Sequence, residues 1–121
     1  MRSAGVSAKK PSEARGQIRG EGREGDMKHY VLLKLAKGAD VKAVFARVQE
    51  TYRQLDEALT WLNSPEVYMS CVERDSKADI MAAIQLEDPA HLQPYLTHPL
   101  HLQMAQDLKD VVVGRTSFDH E

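Results

Sequence analysis

The sequence predicts a single α+β domain with four strands and two helical segments in the order βαββαβ. Three observations predict it. Four short apolar stretches have the composition and alternation of strands. A long stretch with apolar residues at helical spacing lies between the first and second of these strands. A second helical stretch, with two start signals, lies between the third and fourth.

The first strand is predicted from Lys28 to Leu35, KHYVLLKL, which is rich in β-branched and aromatic residues. Alternation divides its side chains between two faces, with His29, Val31, Leu33 and Leu35 on one and Tyr30 and Leu32 on the other. Because both faces are partly apolar, we expect both to be covered.

The first helix is predicted to begin after Asp40, a good N-cap, and to run through Leu62 before Pro65. Val67 to Arg74 is predicted as the second strand. After a charged turn, Asp79 to Leu86 is predicted as the third.

The second helical segment has two start signals, Asp88 with Pro89 and His98 with Pro99. Pro94 lies between them and is expected to shorten or kink the first piece. Val111 to Phe118 is predicted as the fourth strand. The complete order is ferredoxin-like, with an antiparallel four-stranded sheet and both helical segments on one face.

Residues 1–26 form a predicted disordered tail, and residues 27–121 form the predicted domain. The tail holds five of the seven glycines and only two branched apolar residues. Such a segment cannot bury enough apolar surface to offset the entropy lost on ordering. We therefore expect the tail to be dispensable for folding.

Composition argues against several classes of protein. The net charge of −2 does not suggest a nucleic-acid binder, and the apolar stretches are too short for a membrane-spanning helix. Cys71 is the single cysteine, so no disulfide can form within the chain, and we expect its thiol to be buried and inert. These features predict a cytoplasmic protein.

The helix-free face of the sheet predicts a homodimer. Leu32, Val72, Met81 and Val112 are expected there, and together they would expose a larger apolar patch than monomers usually tolerate. A second copy packed sheet to sheet would cover this face and form a barrel. The alternative is a monomer whose tail folds over the sheet.

Two segments resemble the stress-responsive A/B barrel (Dabb) family. MKHYVLLK, residues 27–34, is similar to its opening strand, and YLTHPLH, residues 95–101, is similar to its His-Pro-x-His signature. The resemblance covers residues 27–121. It departs from the family pattern at residues 63–66, where Asn-Ser-Pro-Glu replaces a Pro-Gly turn, and at Pro94.

The resemblance implies a dimeric α+β barrel but does not fix an activity. Most members are described only as stress-responsive, whereas a relative, olivetolic acid cyclase, closes a ring by intramolecular aldol condensation. Its catalytic tyrosine and histidine match Tyr95 and His101. An aldol closure needs a base for an α-proton and a donor to the enolate, and it needs no cofactor.

Structural roles compete with this chemistry. His98 and His101 flank a helix start and could cap it. Tyr95 could be a half-buried aromatic side chain with its hydroxyl at the surface or a cavity mouth. His29 is a weaker catalytic candidate. A metal held by His29, His98 and His101 lacks supporting spacing, so no metal or cofactor is expected.

Three functions follow in order of preference. The first is a stress-responsive barrel of undetermined activity with a cavity for a small apolar molecule. The second is a cofactor-free cyclase or related acid–base enzyme acting on a β-dicarbonyl compound. The third, suggested by related dimeric barrels, is an oxygenase acting on quinols or haem.

Overall fold

The computed structural model describes residues 25–121, and these form four strands and three short or medium helices. The strands are β1 (Met27–Leu35), β2 (Leu62–Met69), β3 (Ile80–Leu86) and β4 (Val112–His120). The helices are α1 (Val41–Ala58), α2 (Leu92–Leu96) and α3 (Pro99–Asp107), with a 3₁₀ turn at Pro89–His91 before α2.

The strands form one antiparallel sheet in the order β2-β3-β1-β4, so the predicted ferredoxin-like fold is confirmed. The first and last strands of the chain are neighbours. In this register His29 of β1 lies opposite Ile84 of β3 on one side and Asp119 of β4 on the other. The side chains of all three therefore lie on the same face of the sheet.

The first helix starts where predicted and ends earlier. Asp40 caps it, because its carboxylate accepts the backbone N–H of Ala43 at 3.1 Å. The helix stops at Ala58 instead of Leu62. Leu62 is fully buried and pairs with Leu86, so its apolar side chain belongs to the sheet and not to the helical stripe.

The predicted boundaries of the second strand were therefore wrong. The strand is Leu62–Met69 and not Val67 to Arg74, and it contains Pro65. Its pairing with β3 is irregular between Asn63 and Glu66, and Ser64 has a left-handed φ of 54°. Since β2 is an edge strand, Pro65 at this irregularity removes no essential ladder hydrogen bond.

Cys71 lies just beyond the end of β2 and is exposed, contrary to the expected burial. The cause is the early end of the strand, which leaves this part of the chain outside the sheet. Its thiol is consequently open to solvent.

The hydrophobic core lies between the helices and one face of the sheet. Its largest fully buried side chains are Tyr95, Leu55, Leu62, Ile80, Ile84 and Leu86. Val112, expected on the opposite face, packs against this core instead. The pairing of β1 with β4 shifts between Lys34 and Leu35, which changes the face that the start of β4 presents.

The opposite side of the sheet carries no helix and is called the open face here. By alternation it presents Tyr30, Leu32, Tyr68, Met81 and Phe118. Tyr68 is 50% exposed and Phe118 is 61% exposed. Leu32 and Met81 match the expectation, whereas Val72 lies in the loop after β2.

The predicted tail falls almost entirely outside the described residues, which begin at Gly25. Asp26 is described and buried, and its carboxylate accepts a hydrogen bond from the side chain of Gln85 at 3.0 Å. Within residues 25–121, no helix is long and apolar enough to cross a membrane.

Candidate active site

A cavity of about 410 Å³ lies between the helices and the helix-facing side of the sheet. One part of its lining is apolar and comes from β1, α1, α2 and α3: Val31, Leu33, Val48, Leu92, Leu96 and Met104. The other part is polar and includes His29, Tyr52, Tyr95, His101, Arg115 and Asp119. An apolar pocket with a few convergent polar groups is typical of a small-molecule site.

The break between α2 and α3 brings Tyr95 and His101 to this cavity. α2 ends after Leu96, and α3 starts again at Pro99 with His98 as its N-cap. The Nδ1 atom of His98 accepts the backbone N–H of Leu100 at 3.1 Å. The capping role considered for both histidines of the motif is thus confirmed for His98, which does not line the cavity.

Tyr95 is fully buried, and not half-buried as expected. Its hydroxyl lies 2.5 Å from the hydroxyl of Tyr52, and either oxygen can be the donor. Burial, followed by the neighbouring Tyr52, holds the pKa of the Tyr95 phenol well above its ordinary value of 10.0. Tyr95 therefore remains protonated at neutral pH and can act as a hydrogen-bond donor.

The ring of Tyr95 lies between two histidines. Its centroid is 4.8 Å from that of His101 and 5.5 Å from that of His29, both in edge-to-face arrangements. The three rings thus form one cluster, built from β1, α2 and α3. The structure brings together the sequence-predicted site residues.

His101 is buried, and its Nδ1 atom has no hydrogen-bond partner within residues 25–121. Burial is the main cause that lowers the pKa of His101 below 6.5, and the positive charge of Arg115 adds to it. The backbone of Leu96 opposes this shift. His101 is therefore neutral at neutral pH, as a general base must be.

His29 lies on the helix-facing side of β1 and is held by Asp119. Its Nδ1 atom is 2.5 Å from Oδ1 of Asp119, the residue opposite it in β4. Because a carboxylate only accepts, Nδ1 is the donor and Nε2 is the remaining polar atom of the ring. Asp119 fixes the orientation of the ring in the same way as the acid in other histidine–carboxylate pairs.

Sequence reasoning missed Tyr52, Arg115 and Asp119 as cavity residues. Tyr52 falls within the predicted first helix, where nothing in the local pattern marks it as a site residue. The fourth strand was expected to end at Phe118, one residue before Asp119. The pairing of β1 with β4 is the signal that places Arg115 and Asp119 on the face of His29. Within residues 25–121, no three histidine, cysteine or acidic side chains are grouped as metal ligands.

Solved structures confirm the fold. A dimeric protein of unknown function from Bacteroides fragilis NCTC 9343 aligns with a TM-score of 0.71 and 22% identity over 81% of this chain and 97% of that chain. A Dabb family protein from Mesorhizobium loti MAFF303099 aligns with a TM-score of 0.62 and 17% identity over 81% and 97% of the two chains. A hydroxynitrile lyase from Passiflora edulis aligns with a TM-score of 0.66 and 9% identity over 81% and 94%.

The sequence family agrees with the structural similarity. No curated protein matches this chain significantly. The profile of the stress responsive A/B barrel domain, however, matches residues 27–121, which include every strand and helix described above. The chain therefore belongs to the Dabb family, as the opening strand and the His-Pro-x-His segment predicted.

Proposed function

We propose that the protein is a cofactor-independent enzyme that moves protons on a β-dicarbonyl compound in the cavity, with His101 as the base and Tyr95 as the hydrogen-bond donor. One observation carries the proposal. A neutral imidazole, His101, and a protonated phenol, Tyr95, line the same cavity with their ring centroids 4.8 Å apart. This pair matches the requirements of enolate chemistry.

The reaction that fits best is an intramolecular aldol closure. His101 takes the proton from the carbon between two carbonyl groups, and the electron pair of that C–H bond passes into an enolate. The Tyr95 hydroxyl donates to the enolate oxygen. The carbanion carbon then forms a bond to a third carbonyl carbon further along the same chain. The C=O π electrons of that carbonyl pass to its oxygen, and the resulting alkoxide takes its proton from the imidazolium of His101. No electron acceptor or donor is required.

His29 supplies a second imidazole to the same space. Its partner Asp119 holds the ring through Nδ1, which leaves Nε2 as the ring atom that can form a hydrogen bond with a ligand in the cavity. The similarity in fold to a hydroxynitrile lyase supports this kind of chemistry, because a hydroxynitrile is an addition product of a carbonyl compound.

The test is turnover of linear 3,5,7-trioxoalkanoyl thioesters and their free acids, of graded chain length, followed by mass spectrometry of cyclised products. The wild type is expected to turn over at least one member. His101→Asn is expected to lower the rate by about a hundredfold or more, the usual contribution of an acid–base residue.

His98→Asn is the matched control, because it changes the other histidine of the motif and leaves a good N-cap in place. It is expected to retain the wild-type rate. Equal rates for His101→Asn and the wild type would remove His101 from the mechanism. Binding of these compounds with no turnover would leave a ligand-binding barrel in place of an enzyme.

The homodimer is also a proposal for this chain. The open face is supported as the interface by its exposed aromatic residues, among them Phe118 and Tyr68. Structural relatives from Bacteroides fragilis and Thermobifida fusca are described as dimeric. An apolar sheet face of this kind is covered most simply by a second copy related by a two-fold axis.

A cytoplasmic location is proposed on the exposed, free thiol of Cys71. Reducing compartments keep such thiols intact, whereas oxidising ones favour their pairing. Localisation of a fluorescent fusion tests it, and a secreted or organellar signal would contradict it.

A further inference from the structure

Arg115 is an unexplained part of the cavity lining. It lies in β4 opposite Leu33, so its side chain is on the same face as those of Ser117 and Asp119. All three line the cavity, and all three are exposed, which places them at its open side. Arg115 is the one lysine or arginine among the lining residues within the described part of the chain.

Among residues 25–121, no acidic side chain forms an ion pair with this guanidinium. The acidic lining residue, Asp119, has its carboxylate against His29. The arginines found in ion pairs within residues 25–121 are Arg47, paired with Asp107, and Arg53, paired with Glu50 and Glu57. A permanent positive charge thus lines the cavity without an ion-pair partner in the part of the chain that the structure describes.

The positive charge of Arg115 acts electrostatically on both proposed catalytic groups, His101 and Tyr95. It contributes to the lowered pKa of His101 and partly offsets the burial that raises the pKa of Tyr95. Arg115 lines the same cavity as the two proposed catalytic groups.

The other residues that line the cavity indicate the chemistry of the rest of the ligand, because most of them are apolar. Leu33 lies opposite Arg115, and Leu92, Leu96 and Met104 form an apolar wall from the helices. A ligand that satisfies both parts has an apolar chain and one anionic group. Guanidinium groups bind planar carboxylates through two parallel hydrogen bonds, which fixes orientation as well as charge.

We propose that Arg115 binds the carboxylate of the ligand, so that the natural substrates are carbonyl compounds with a free carboxylic acid and an apolar chain. The inference rests on the proposed function, since it assigns the substrate class of the same cavity. Four residues of strand separate Arg115 from Asp119, or about 13 Å along β4. The ligand carboxylate is therefore kept apart from the carboxylate that holds His29.

The test is calorimetric binding of three unreactive probes of equal chain length: decanoate, methyl decanoate and decyl phosphate. Wild-type protein is expected to bind decanoate about tenfold more tightly than the uncharged ester, the range expected for a charge-assisted pair at a partly exposed site. Arg115→Gln is expected to remove this preference and to leave the affinity for the ester unchanged. Arg47→Gln, a matched loss of one guanidinium outside the cavity, is expected to behave as wild type.

Three outcomes would overturn the proposal. The wild type could show no preference for decanoate over its ester, Arg115→Gln could keep the preference unchanged, or Arg47→Gln could lose as much of the preference as Arg115→Gln. Decyl phosphate binding at least tenfold more tightly than decanoate would overturn the carboxylate assignment in favour of a phosphate. Binding needs no turnover, so this result is separate from the proposed reaction. His101→Asn should retain the preference for decanoate even if no cyclase activity is ever found.

Discussion

Two tyrosine hydroxyls meet in the interior of the fold, and their contact sets what Tyr95 can do. The oxygens of Tyr52 and Tyr95 are 2.5 Å apart, and both side chains are almost fully buried. Burial is the main cause that raises the pKa of each phenol. Tyr52 thereby holds a protonated Tyr95 in place beside His101.

Tyr52→Phe is expected to lower the free energy of unfolding by about 1–3 kcal/mol, because the Tyr95 hydroxyl would be left buried without its partner. Urea denaturation measures this. Gln106→Ala, which removes a polar group at an exposed position of α3, is the control and should change the stability by less than about 0.5 kcal/mol. Equal effects of the two substitutions would show that the tyrosine pair contributes nothing specific.

The titration of His101 gives a second prediction at this scale. Its pKa in the folded protein is below 6.5, chiefly through burial and then through Arg115. The backbone of Leu96 opposes this shift, and His29 and His98 lower the pKa slightly further. The base is therefore neutral at neutral pH, and turnover should fall only as the pH drops below the ordinary histidine range. NMR titration of the ring should show this lowered pKa, and Arg115→Gln should raise it.

The same shift has a defined sign for stability. Between the lowered folded pKa and 6.5, the unfolded chain binds more protons than the folded one. The contribution of His101 to stability is therefore complete above 6.5 and is lost as the pH falls through that window. A His101→Asn variant should lack this part of the acid dependence in pH-resolved denaturation.

At the scale of single elements, the cap of α3 determines how the site is assembled. His98 ends the turn after α2 and accepts the first free N–H group of α3. His98→Ala is expected to cost about 1 kcal/mol, whereas His98→Asn should cost a few tenths at most. Thermal denaturation of the two variants compares them, and equal losses would contradict the capping role.

Element boundaries show where sequence reasoning succeeds. Asp40, Asp88 and His98 each begin a helical element as predicted, because capping is a local interaction between residues two or three apart. β2 was misplaced because its first residue, Leu62, continues the apolar spacing of α1. Only the pairing of Leu62 with Leu86 in the sheet decides between the two assignments, and that contact is non-local.

The candidate site, too, could be predicted only in part from the sequence. Tyr95, His101 and His29 could be found from a motif and from alternation. Their partners could not, because Tyr52 and Asp119 reach them across the fold through helix packing and strand pairing. The neutral state of His101 also depends on burial by several elements, which no local pattern contains.

At the scale of the whole molecule, the two faces of the sheet have different roles. One face closes the cavity, and the open face is available for a second copy. Phe118→Glu is expected to convert the dimer to a monomer, because it would place a charge in an apolar interface at a cost of several kcal/mol. Light scattering gives the mass.

Leu102→Glu is the matched control, since Leu102 is 52% exposed but lies on α3, away from the open face. It should leave the mass unchanged. A monomeric mass for the wild type would refute the dimer itself, and a dimeric Phe118→Glu would exclude this face as its interface. Val112 is unsuitable for this test because it packs against the core.

The irregular start of β2 makes this edge of the sheet a poor template for adding another strand. An edge strand offers unpaired backbone groups on which another chain can add a strand, and fibrils grow by repeating that step. In β2 the proline at position 65 lacks a donor, and the pairing is interrupted between Asn63 and Glu66. Strand addition at the β2 edge is thereby disfavoured, so two copies are expected to associate through their open faces, which closes the assembly at two chains.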